Sequence, residues 1–127
     1  AQYGPIASWD TSEITDMTSL FIAKPNFNGD ISRWDVSSVT HMIDMLNGAT
    51  SFNGDLSQWD VSKVTDMEGT FRQALAFNAP IGAWDVSRVT EMSYSECSAI
   101  QGLLLLLFKA LRAVSSIVSV GVGWRRT

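Results

Sequence analysis

Four Trp-Asp pairs carry whatever chemistry this sequence offers: Trp9-Asp10, Trp34-Asp35, Trp59-Asp60 and Trp84-Asp85, each 25 residues from the next. A row of indoles could form a platform for sugar rings or bases, and a row of carboxylates could ligate calcium. Neither reading suits the surroundings. One Trp per copy, always in phase with Ile and Met, is the pattern of a packing ladder. A hard cation needs six or more oxygens, whereas each copy brings one carboxylate to that position and no glycine-rich nonapeptide, so the Asp reads as a turn or cap acceptor. His41, the only histidine, stands where the other copies have Asp16, Asp66 and Glu91, and is expected to face solvent. A lone exposed His is neither a ligand set nor half of a catalytic pair. Cys97, the only cysteine, has no disulfide partner in the chain and no metal-site spacing. No catalytic residue, cofactor site or metal site is therefore expected, and an enzyme is the least favoured class.

The chain of 127 residues is long enough for one globular domain with a moderate core. Its formal charge of -4 hides an asymmetry, because all thirteen acidic residues lie at or before Glu96. The repeat region, with only Lys24, Arg33, Lys63, Arg72 and Arg88 in opposition, carries -8; the remainder, with Lys109, Arg112, Arg125 and Arg126, carries +4. Nucleic acid is not an expected partner of an acidic repeat region, since phosphate binding depends on clustered Lys and Arg.

The elements that must position these residues follow from the order of residue types within a copy. Asn28-Gly29 and Asn53-Gly54 predict a turn, because both residues tolerate positive φ, and Gly4-Pro5 and Ala79-Pro80 make the bend differently at the equivalent sites. Ile6, Ile31, Leu56 and Ile81 then imply a short strand, near 30–33 in the second copy. Ser12, Ser37, Ser62 and Ser87 are placed to act as helix N-caps, with Asp16, Asp66 and Glu91 in the first turn. Val39, Met42, Met45 and Leu46 follow at helical spacing. The expected fold is thus an α/β repeat solenoid with leucine-rich-repeat-like coils, each a short parallel strand plus a short helix at period 25, followed by a non-repeat C-terminal helix. A single copy cannot offset the entropy of ordering its own backbone, so stacking must stabilise it.

The unit Trp-Asp-Val-Ser-x-Val-Thr-x-Met, followed by Phe or Leu and then Phe-Asn-Gly-Asp-Ile-Ser, resembles the bacterial surface protein family with a repeat of about 26 residues, which is similar to the BspA-like leucine-rich repeats. The likeness spans roughly residues 3 to 95. It implies a leucine-rich-repeat-like solenoid found mostly in surface or secreted bacterial proteins, with similar repeats in unicellular algae. It implies an adhesion or interaction role and no catalytic residues. The sequence departs from that family in having few copies and in losing the pattern after Met92, where SYSECSAIQG follows and Lys109 stands in place of the next Trp.

Two regions result: a four-copy repeat over 1–95, degraded at both ends, and an apolar, basic tail over 96–127, read as a helix and then a short alternating strand. Leu103 to Phe108 is continuously apolar, and Lys109, Arg112, Ser116 and Ser119 fall on one narrow helical stripe. Four roles compete for it: a cap on the last coil, a docking surface for a partner that includes a membrane-embedded one, a membrane anchor, or the product of an out-of-frame junction near Met92. Leu103, Leu106, Leu107, Phe108, Leu111, Trp124, Arg125 and Arg126 are the candidate partner or membrane contacts. The functional expectation is a non-enzymatic interaction or scaffold module, an accessory subunit docked by its tail into a larger assembly such as an algal photosynthetic membrane complex. A surface adhesin or carbohydrate-binding repeat protein is the alternative. A protein partner is expected, with a membrane-associated or cell-surface location ahead of a free cytoplasmic one.

Overall fold

A computed structural model describes residues 3–94. Over that span the 25-residue period becomes a hydrogen-bonded register between copies lying side by side. The backbone N–H of Thr40 donates to the Thr15 carbonyl, Thr65 to Thr40 and Thr90 to Thr65, each at 2.8 Å. Parallel bridges join Asp16 to His41, His41 to Asp66 and Asp66 to Glu91.

The expected α/β solenoid of strands and helices is not what the chain forms. Among the described residues the one helical element is a 3-10 turn, Ile6–Ser8, and β pairing is confined to those isolated bridges. The segment expected to be helical divides its donors between two directions. The N–H groups of Met17, Ser19, Phe21 and Ala23 reach across to the carbonyls of His41, Ile43, Met45 and Asn47 at 2.8–2.9 Å. Those of Leu20, Ile22 and Lys24 bond back three residues, to Met17, Ser19 and Phe21. An α-helix needs every donor to reach four residues back, so alternate donation to a neighbouring copy excludes it. The backbone signs agree. Ser19, Asp44, Gly69 and Tyr94 have φ of 59°, 53°, 65° and 57°, and Ala23, Gly48 and Gln73 have 54°, 79° and 56°, so two left-handed residues recur in each of the first three copies and the first of them again in the fourth. A chain of tight turns also brings every third or fourth side chain inward, which is why Met42, Met45 and Leu46 imitate a helix face.

The smaller elements are revised for the same reason. The segment 30–33 is a turn, not a strand: Ser32 N–H bonds Asp30 Oδ1 at 3.0 Å and Trp34 N–H bonds the Ile31 carbonyl at 3.1 Å. Ser12, Ser37, Ser62 and Ser87 cap no helix. Each donates its own N–H to the carboxylate two residues earlier, at 2.9–3.0 Å. The Asn-Gly pairs are not left-handed turns either. Asn28 and Asn53 accept the backbone N–H of Asn53 and Asn78 in the next copy, at 3.0 and 2.8 Å. Gly54 is needed for space, since a Cβ there would stand 2.8 Å from the Phe52 ring.

Between the turns the apolar columns close on one core. Ile31, Leu56 and Ile81, Val39, Val64 and Val89, and Met17, Met42, Met67 and Met92 are all buried. Phe27, Phe52 and Phe77 stack at 5.6 and 5.9 Å between ring centroids, and Trp59 lies parallel to Trp84 at 6.4 Å. Each inner Trp also ties two copies together: Trp34, Trp59 and Trp84 donate Nε1–H to the carbonyls of Ile6, Ile31 and Leu56 at 2.8, 3.0 and 2.9 Å. The indole therefore satisfies its polar edge and its apolar faces in the same contact.

Candidate functional site

The Asp of each Trp-Asp pair is spent locally. Asp10, Asp35, Asp60 and Asp85 each accept the backbone N–H of the Ser two residues on, in an Asx turn. Hydrogen bonds from that serine's side chain and backbone hold all four carboxyls below the ordinary carboxylate range. Asp30 and Asp55 do the same with Ser32 and Ser57. Around Asp35 the neighbouring Asp10 and Asp60 oppose the shift without reversing it. Among the described residues no group of three or more His, Cys, Asp or Glu could hold a metal ion.

His41 is exposed, with Nδ1 2.8 Å from the Thr40 hydroxyl. It sits between Asp16 and Asp66 in the bridged row, and neither Ser nor Cys joins it there. Cys97 and the tail candidates Leu103, Leu106, Leu107, Phe108, Leu111, Trp124, Arg125 and Arg126 lie outside the described residues, as does the expected C-terminal helix.

One surface was not singled out from sequence. Trp9 is 44 % exposed where Trp34, Trp59 and Trp84 are 5, 5 and 6 %, because no copy precedes it among the described residues. Its Nε1–H turns instead to the Tyr3 carbonyl at 3.1 Å. Tyr3, Ile14, Leu20 and Ile22 are exposed with it. Beside them a hollow of about 540 Å³ opens between Trp9, Leu20, Phe21, Lys24, Phe27 and Trp34. The signal was present: a terminal copy is expected to carry a polar outer face, and this one has Ile22 where the inner copies have Asn47 and Arg72.

The arrangement defines a repeat protein, with 25-residue copies joined by ladders of backbone bonds and buried aromatics. The chain belongs to the family described as Mycoplasma protein of unknown function, DUF285, whose model matches residues 1–102. No curated protein and no solved structure matches it.

Proposed function

We propose that this chain is a non-enzymatic interaction module that binds a protein partner through apolar surface at the ends of its repeat region. The observation behind the reading is the contrast between Trp9 and its three buried equivalents: a residue built for burial is left half open, beside Tyr3, Leu20 and Ile22. An exposed apolar patch rimmed by charge suits a protein interface. The apolar, basic tail is the second contact in this reading, docking on a protein or membrane-protein assembly. The resemblance of the repeat region to BspA-like repeats supports a cell-surface setting; among the described residues no helix is long and apolar enough to cross a membrane.

The test is a photo-crosslinking amino acid in place of Leu20, expressed in a cell that makes the protein. Covalent protein adducts at that position, absent when the probe replaces Gln58, are the expected result. Adducts confined to lipid or glycan would overturn the reading. The second reading, a carbohydrate-binding adhesin, draws on Trp9 and Tyr3 lying together at the open end. It requires a hit on a glycan array that Trp9→Ala abolishes.

A further inference from the structure

Three Asn-Gly pairs occur in the chain, at 28–29, 47–48 and 53–54. Such a pair can cyclise, because no side chain on the glycine hinders the attack of its nitrogen on the asparagine Cγ. The fold treats the three differently. At Asn47-Gly48 both reacting groups are held: Gly48 N–H donates to the Arg72 carbonyl at 2.8 Å, and Asn47 Nδ2 donates to Asp44 Oδ1 at 2.9 Å. In the other two pairs the N–H groups of Gly29 and Gly54 meet no acceptor among the described residues. Asn28 and Asn53 are exposed, and their Oδ1 atoms accept the backbone N–H of Asn53 and Asn78 in the next copy, at 3.0 and 2.8 Å. Each donor thus points at the oxygen on which negative charge develops when a nucleophile adds to Cγ, as in an oxyanion hole. Packing keeps both glycines in place, since a Cβ would stand 2.9 Å from the Phe27 ring at Gly29 and 2.8 Å from the Phe52 ring at Gly54.

We propose that Asn28 and Asn53 deamidate spontaneously in the folded protein, promoted by the backbone N–H of the adjoining copy, while Asn47 is protected. The proposal is independent of the interaction reading above. The glycine N–H gives its proton to water acting as base, and the nitrogen bonds to Cγ to close a succinimide. Nδ2 takes a proton from water and leaves as ammonia. Water then opens the ring at either carbonyl, giving aspartate or isoaspartate; one water is consumed, one ammonia is released and nothing is oxidised or reduced. Each event adds a negative charge two residues before the exposed Asp30 or Asp55. Aspartate still offers an acceptor to the next copy, whereas isoaspartate lengthens the main chain by a methylene and disturbs the 25-residue register.

The experiment incubates the full chain at mildly alkaline pH, folded and in guanidinium chloride, and follows the peptides that carry the three pairs by mass spectrometry, with isoaspartate separated from aspartate. Each pair's rate in denaturant is its own reference. When folded, Asn28 and Asn53 should react about three- to tenfold faster than that reference, and Asn47 at least about tenfold slower. Asn28 and Asn53 reacting no faster than in denaturant, or Asn47 keeping its denatured rate in the folded chain, overturns the proposal.

Discussion

The second and third copies are covered on both sides by their neighbours; among the described residues the first is covered on one side only. Trp59 and Trp9 occupy the same position in the repeat and share an indole. One is closed between copies with its Nε1–H on the Ile31 carbonyl, and the other lies open and bonds its own chain at Tyr3. Position in the array, not residue type, decides whether this Trp is core or surface. Substitution separates the two most sharply. Trp59→Ala should cost about 3–5 kcal/mol, as for other large buried aromatics. Trp9→Ala should cost no more than about 1 kcal/mol, because much of its surface already faces water. Urea unfolding followed through the remaining tryptophans measures both, and equal losses would break the comparison.

A second contrast lies in the column of Leu20, Met45 and Thr70, of which only Thr70 is polar. Thr70 is buried, and its hydroxyl lies 2.8 Å from the carbonyls of both Met42 and Met67, whereas the first copy has the exposed Leu20 at this position. Thr70→Val keeps the volume and removes the donor, so about 1–2 kcal/mol should be lost in the same urea assay. The left-handed positions test the turn geometry itself. Gly48→Ala should cost about 1 kcal/mol, because a side chain at φ 79° is strained, although its Cβ would make only ordinary contact with the Ala23 backbone. Gln73, at the equivalent site with φ 56°, should gain up to about 1 kcal/mol on change to Gly, less the entropy that glycine adds to the unfolded chain. Opposite signs of change in thermal midpoint are expected from the pair.

The period, the packing role of Ile31, Trp34, Val39 and Met42, and the local use of Asp35 were legible because in-phase recurrence constrains them whatever the backbone does. Secondary structure was not. Helix-like spacing in 39–46 is shared by a chain of turns, and the sign that separates them is φ at Asp44, a residue that tolerates the left-handed region without announcing it. The Asn-Gly pair misled differently, since Gly54 serves the Phe52 ring and Asn53 serves the next copy. Trp9 could be placed in a column from sequence, but its exposure depends on what lies beyond the column.

The smallest expected effect is also the one that reads the carboxylate row as a whole. Asp10, Asp35, Asp60 and Asp85 are held below the ordinary value of about 3.9 by bonds that exist only in the folded chain. Such groups add stability that is fully present above the unfolded value and is lost as pH falls through the lower, folded one. Thermal midpoints should therefore be level from neutral pH to about pH 5 and should decline below about pH 4. Ser62→Ala removes the hydroxyl from the bonds that hold Asp60 down, so the decline should still begin near the unfolded value but be shallower. Salt acts differently along the row. Asp35 feels Asp10 and Asp60 from both sides, while Asp10, at the end of the row among the described residues, has Asp35 alone beside it. Screening at neutral pH should therefore relieve the inner position more than the end. In Asp35→Asn the rise of midpoint with salt should be smaller than in Asp10→Asn, and an equal salt response in both variants would mean that the inner and end carboxylates are electrostatically alike.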